Sequence, residues 1–514
     1  MNATFKCIVV FVIKATLSCL AAADWSMFGG DPQRTSWAQG ETDLTKENVG
    51  MLKLEWSLRL SNESRELNSL TVPVVRRQVI TPTGFKEVLL VAGSSEKVFA
   101  IDADTGKLMW QKQFQTEGKP NNPPHWLCPN ALNATPVLLG STAYILASDG
   151  KLHALNLANG EDRMPPAQFT PAFAKPWSLN LVNDVLYTAA TSQGCNANRS
   201  TVYAIDLKNP AHTVISFGVA PTGGGGIWGR GGPAISSEGE VYVETGDGKF
   251  DAASGKYANS FVGLSAKDLT LIDYYTPANQ AWIDKKDLDM GNMSPIIFQF
   301  QNWTMVAGSG KEGVIYLLDA KKLGGDDHRT PLYRSPLFAN DEQNFQGRGF
   351  WGAMATAETP GKTRWLFAPA WGPPSEKIKF PKSYGDASNG SVMAFKVELK
   401  DNKPVLTPAW ISRDIAEPEP PVIANGVVFA LASGENVKQV DSGGRILTSV
   451  ERYSTPKGNA TLHALEAETG KELYSSGNLM RSFTHFSAPV VSGGRVYVST
   501  YDGTVYAFGL GQAQ

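Results

Sequence analysis

Three aspartates, one lysine and several tryptophans in glycine-rich surroundings are where this chain could do chemistry. Asp247 lies in Glu244-Thr245-Gly246-Asp247-Gly248, and Asp287 and Asp289 close the charged run Asp284-Lys285-Lys286-Asp287-Leu288-Asp289. Lys311 sits in Gly308-Ser309-Gly310-Lys311-Glu312-Gly313, and Trp228 ends Gly223-Gly224-Gly225-Gly226-Ile227-Trp228. Phe350-Trp351, Trp371-Gly372-Pro373-Pro374, His125-Trp126, His485, Asp502 and the pair Cys128 and Cys195 complete the set. Carboxylates hold hard cations or take protons, an ammonium stabilises developing negative charge, and an indole face packs on a flat ring. Each residue also has a structural reading. Trp228 could be core packing, Lys311 a solvated turn residue, Asp247 a turn cap and the 284–289 run a plain hydrated surface. The fold must decide by bringing these residues together or leaving them scattered.

The elements that would position them repeat. The most complete copy is Val98-Phe99-Ala100-Ile101-Asp102-Ala103-Asp104-Thr105-Gly106-Lys107-Leu108-Met109-Trp110: an alternating strand, a tight turn and a Trp on the next strand. Further copies place their small or apolar residue at Ala154, Ala204, Gly263, Leu317, Ala394, Ala464 and Ala507. A period of roughly fifty residues with four strands per unit predicts a β-propeller, because a lone four-stranded sheet cannot bury both faces. The expectation is an all-β, eight-bladed ring of four-stranded antiparallel blades. Blades 1 to 7 fall at about 70–114, 132–169, 177–217, 228–276, 292–336, 350–413 and 420–477. The last unit, from Ala488 to Phe508, supplies only three strands, and the orphan strand Leu52-Lys53-Leu54-Glu55-Trp56-Ser57-Leu58 is expected to complete it, removing exposed edges. Gly106 and Gly470 suit a positive φ, Asp102 and Asp206 cap their turns, and Trp110 and Tyr474 pack between blades; His153 and His463 read as structural. In this topology the loops between blades and between second and third strands share one rim, and the residues of the opening paragraph fall on it. A rim of Trp, Gly and a few charges suits a flat aromatic ligand.

Composition bounds the partners. A net charge of -2 offers no basic field for nucleic acid. Residues 1–23 read as an export signal, with Lys6, an apolar stretch from Cys7 to Leu20 and a small-residue site at Ala21-Ala22-Ala23, leaving residues 24–514 as one propeller domain in the periplasm or outside the cell. No other stretch approaches the ~20 apolar residues of a membrane span. With the leader gone, Cys128 and Cys195 remain; they meet the same rim on adjacent blades, so a disulfide is feasible, with two buried thiols as the alternative.

These residues resemble the quinoprotein alcohol dehydrogenase family, eight-bladed propellers that bind pyrroloquinoline quinone (PQQ). Ala100 to Trp110 is similar to the family's tryptophan-docking motif. The stretch Gly223 to Trp228 resembles the glycine-rich segment ending in the Trp on which the quinone lies. Tyr242-Val243-Glu244-Thr245-Gly246-Asp247 resembles the segment that supplies a calcium ligand, with Asp247 where Asn is usual. Ser309 to Tyr316 resembles the segment whose Lys or Arg touches the quinone carbonyls, and Tyr275 to Asn292 the stretch holding the catalytic Asp. The resemblance implies Trp228 as stacking floor, Asp247 as metal ligand, Lys311 and Trp351 beside the cofactor, and Asp289, or Asp287 one register away, as the base taking the hydroxyl proton.

The departures are specific. The adjacent cysteine pair that lids the quinone in the family is missing, although a Cys128–Cys195 bond could serve instead. The family's calcium-binding Glu of blade 3 aligns near Cys195-Asn196, and no Cys-x-x-Cys-His for covalent haem occurs. The implied activity is oxidation of an alcohol or sugar hydroxyl with PQQ and calcium, electrons passing to a separate cytochrome or quinone. The alternatives are a non-catalytic protein-binding propeller of the outer-membrane assembly type and a polysaccharide-binding propeller.

Overall fold

Apolar residues at every second position become the inner and outer faces of short twisted strands, and eight such sheets close into a ring. The computed structural model describes residues 24–511 except 121–122, 125–127, 192–194, 196–198, 344, 346, 436–439, 446 and 456. The leader, His125, Trp126 and Asn196 therefore lie outside the described residues. Blade 1 consists of Val74–Thr81, Gly84–Gly93, Lys97–Asp102 and Lys107–Gln113, paired antiparallel in that order. Blades 2 to 7 span 137–168, 175–218, 234–275, 296–334, 349–411 and 422–475, each within several residues of the sequence expectation. Blade 8 takes Val490–Ser492, Arg495–Ser499 and Thr504–Gly509 from the C-terminus and Lys53–Arg59 from the N-terminus. Lys53 pairs with Gly509 and Arg59 with Thr504, so the ring closes as expected.

The repeated Trp and Gly work as a pair across blade boundaries. Trp56, Trp110 and Trp410 donate their indole N–H to the carbonyls of Ala103, Leu157 and Ala467 in the following blade, at 2.9, 2.9 and 2.8 Å. Each ring lies over a turn glycine, Gly106, Gly160 or Gly470, with φ of 69°, 75° and 78°. A Cβ there would stand 2.6, 2.8 or 2.6 Å from the indole. The glycine thus supplies both the left-handed turn and the flat seat for the neighbouring ring. His463 is held at 2.8 Å by Glu472, and His153 stacks on Phe114.

The segment 24–41, to which the sequence reading gave no role, crosses the centre of the ring and bonds to the first strand of seven blades. Trp25 exchanges hydrogen bonds with Val75, and Ser26, Pro32, Gln33, Thr35 and Ser36 accept from the N–H groups of Leu138, Ile235, Ile297, Thr356 and Ile423. In blade 3, Arg34 donates to Leu179 O at 2.9 Å and Asn180 to Pro32 O at 2.9 Å. Arg34 is fully buried, with its other arm on Phe28 O at 2.7 Å. No apolar period flags such a segment, since backbone bonds and irregularly spaced buried side chains such as Trp25, Phe28 and Arg34 hold it.

Candidate active site

Glycines set the site by letting backbone segments of blades 4, 5 and 6 interlock. Trp228 N–H donates to Gly291 O at 2.9 Å and Gly246 N–H to Gly226 O at 2.7 Å. Lys311 N–H donates to Asp289 O at 3.2 Å and Phe350 N–H to Gly310 O at 3.1 Å. A Cβ on Gly291 would lie 2.2 Å from Gly226 O, and one on Gly310 would lie 2.7 Å from Asp289 O. A Cβ on Gly246 would lie 2.9 Å from Asp289 Oδ2. These positions therefore require glycine for close approach, whatever their dihedrals.

The side chains held by this lattice converge. Trp228 donates its indole N–H to Asp289 Oδ2 at 2.8 Å. Lys311 Nζ lies 2.5 Å from Asp289 Oδ1 and 2.8 Å from Asp287 Oδ1. Asp247, Asp287 and Asp289 each present an oxygen within 4.8 Å of the others. Lys311 Nζ also sits 5.4 Å from the centroid of Trp351, which stacks on Trp371 at 4.6 Å with 11° between planes. The alternative reading of 284–289 as a plain hydrated surface holds only in part. Gln280–Lys285 is a short helix, and Asp284 accepts the Gly248 N–H at 2.7 Å. Asp287 is half-exposed at φ 54°, while Asp289 is 0% exposed.

Burial and charge act together here. Burial drives the Asp289 carboxyl well above the usual carboxylate range, the Lys311 ammonium pulls it back, and Asp247 and Asp287 push it up again. Burial disfavours the charged Lys311, but the three aspartates outweigh it and hold the ammonium above its ordinary value. One ammonium against three carboxylates leaves the cluster electron-rich. Its donor set, all carboxylate oxygen, is that of a hard cation such as calcium. Trp228 is only partly buried, so part of its indole remains open to a planar partner.

Cys128 and Cys195 form a disulfide with 5.4 Å between Cα atoms, joining the blade 1–2 connection to blade 3. His485 and Asp502 are not part of the cluster in bonding terms: His485 Nδ1 lies 2.5 Å from Glu435, and Asp502 pairs with Arg59 of the closing strand at 2.6 Å. The sequence reading gave no part to Arg230, Glu419 and Glu244. The Arg230 guanidinium lies 5.9 Å from the Trp371 centroid and pairs with Glu419, extending the cation–aromatic stack that begins at Lys311. Glu244, buried beside Gly308, accepts from Ser309 N–H at 3.1 Å and so braces the turn carrying Lys311. Proximity to Trp228 was a signal for Arg230; Glu419, far along the chain, gave none.

Residues 25–163 match the family model described as glucose/ethanol/alcohol dehydrogenase, β-propeller domain, and residues 424–512 match that of the outer membrane protein assembly factor BamB. No curated protein sequence matches the chain. Among solved structures, a quinohemoprotein alcohol dehydrogenase from Pseudomonas putida HK5 is similar with a TM-score of 0.63 at 15% identity, over 96% of this chain and 81% of that one. A quinohemoprotein alcohol dehydrogenase from Comamonas testosteroni gives 0.59 at 16% identity, over 96% and 81%. A europium-containing methanol dehydrogenase gives 0.65 at 12%, over 95% and 98%. In its repeats and its fold, the chain is similar to the quinoprotein alcohol dehydrogenase-like, PQQ-repeat propellers.

Proposed function

We propose that this protein is an exported PQQ-dependent dehydrogenase that oxidises an alcohol or sugar hydroxyl and passes the electrons to a separate acceptor. The observation that carries the reading is the convergence of Asp247, Asp287, Asp289 and Lys311 beside the indole of Trp228. Residues 1–23 would act as the leader and 24–514 as one working domain, in the periplasm or outside the cell.

The residues present suit the cofactor: an indole floor at Trp228, carboxylates for calcium, and Lys311 and Trp351 at the edge. When bound, PQQ supplies the two-electron acceptor that no side chain here provides. Asp289 is the base. Its Oδ2 is fixed by the Trp228 N–H and its Oδ1 is held by Lys311 Nζ, so the ammonium must shift from Oδ1 towards Asp287 for that oxygen to accept the substrate hydroxyl proton. Lys311 starts on Asp289 Oδ1 and Asp287, so it stabilises the carboxylate before the proton moves and is positioned to stabilise negative charge next to the indole afterwards. Asp247 and Asp287 offset Lys311 and would complete the cation's oxygen shell with Asp289. The substrate would lose two electrons and two protons to become a carbonyl compound: the hydroxyl proton would go to Asp289, and the bound cofactor would supply the acceptor for the two electrons and the remaining proton.

The test is reconstitution. Purified protein given PQQ and calcium should reduce a redox dye with small alcohols or sugars, and Asp289→Asn should abolish the turnover. No dye reduction across those substrates would reject the reading. A second reading, a non-catalytic protein-binding propeller, draws on the assembly-factor match at 424–512.

A further inference from the structure

Asp247 and Asp289 each place an oxygen within 4.8 Å of the other, and like charges that close repel. They also stand on separate segments. Asp247 follows strand Val241–Glu244 of blade 4, and Asp289 lies in the connection from helix Gln280–Lys285 to blade 5. Chain continuity therefore does not hold them together.

Asn259 joins the two segments. Beyond the pair Glu244 and Phe261, the ladder of blade 4 continues through Thr245 N–H to Ser260 O at 2.9 Å and Asn259 N–H to Gly246 O at 3.0 Å. On its side chain, Oδ1 accepts the Met290 N–H at 3.3 Å. Gly246 precedes Asp247 and Met290 follows Asp289, so a single residue is bonded one peptide away from each carboxylate. Asn259 is 0% exposed and acts through those neighbours, meeting no ligand itself.

Two features show what this position asks of its residue. The backbone is left-handed, with φ 48°, a conformation that favours Gly, Asn and Asp. Glycine has no side chain to offer Met290. Aspartate would supply the same acceptor and would escape a cost that Asn259 bears, since its Nδ2 is buried without a hydrogen-bond partner. The fold alone is thus better served by Asp. What Asp would add is a fourth carboxylate, where Asp247, Asp287 and Asp289 already face the one ammonium of Lys311. Asparagine keeps the tether and brings no charge.

We propose that Asn259 is a positioning residue whose amide fixes the spacing of Asp247 and Asp289 without adding to their charge. The inference rests on the reading of these carboxylates as a cation and base site.

Calorimetric titration of the full chain with calcium in the presence of PQQ, paired with steady-state dye reduction, tests it. Asn259→Gly suits the backbone and deletes only the tether. It should bind calcium about tenfold more weakly, with kcat lowered about tenfold at unchanged KM. Asn259→Asp restores the acceptor and should bind calcium at least as tightly as the wild type. A residue that serves the fold alone would lower the unfolding midpoint and leave calcium affinity and kcat in place. Values within about twofold of the wild type in Asn259→Gly therefore overturn the proposal. So does an Asn259→Asp variant that binds calcium as weakly as Asn259→Gly. Wild-type protein that binds no calcium removes the cation reading and this inference together, a result visible before any variant is made.

Discussion

Trp228 donates its indole N–H to Asp289 Oδ2 at 2.8 Å, so the ring proposed as the cofactor's floor also fixes the proposed base. Trp228→Phe separates the two roles, keeping a stacking surface and removing the donor. Loss of a hydrogen bond to a carboxylate should lower kcat by about tenfold. Cofactor affinity should change far less. Because that donor favours the ionised carboxylate, its removal raises the pKa of Asp289, and the acid limb of the kcat/KM profile should move to higher pH. An unchanged limb would mean that Asp289 is not the base.

Lys311 is the cation in contact with a fully buried carboxylate, 2.5 Å from Asp289 Oδ1. Replacing it by Met strands that charge. Breaking one side of a buried pair costs about 3 kcal/mol or more, readable as a lower urea midpoint at neutral pH. Combining Lys311→Met with Asp289→Asn should recover most of the loss, since the fully buried charge is then gone and Asp287 is half-exposed to water.

Glu244 gives the fold a pH dependence of its own. Burial raises its carboxyl well above the ordinary 4.5, and Ser309 N–H opposes this only in part. A folded-state pKa above the unfolded one means the native protein retains a proton that the unfolded chain releases. Stability from this group is complete below about pH 4.5 and falls as pH rises through the folded value. Glu244→Gln keeps an acceptor for Ser309 and has no proton to lose. Its Tm should therefore decline less than the wild type's between pH 5 and pH 8.

The ring was legible in the sequence because it is written locally: alternation gives strands, Asp102 to Gly106 gives a turn, and the surplus strand around Trp56 has one vacancy to fill. The site was legible as a set of residues but not as a geometry. Nothing in Asp284 to Asp289 distinguishes the half-exposed Asp287 from the fully buried Asp289; only the packing of Gly246, Gly291 and Gly310 against neighbouring backbone does so. Glu419 and the segment 24–41 escaped because their partners lie far away in sequence and are met largely through single polar or backbone groups.

Closure makes a further prediction about the whole ring. Gly106→Ala places a methyl 2.6 Å from Trp56 at a φ of 69°, so both the turn and the docked indole must yield. A loss of about 2 kcal/mol or more is expected, measured by denaturant unfolding. Deleting residues 52–58 should abolish a single cooperative transition, because blade 8 then lacks its fourth strand and exposes an edge.

Calcium titration in the presence of PQQ addresses the cluster itself. One ion per chain should bind to the wild type, and Asp247→Ala and Asp289→Asn should each weaken it at least about tenfold, the loss expected when a charged ligand is removed. No calcium bound, or calcium bound equally by both variants, would contradict the assignment of these carboxylates to a cofactor site.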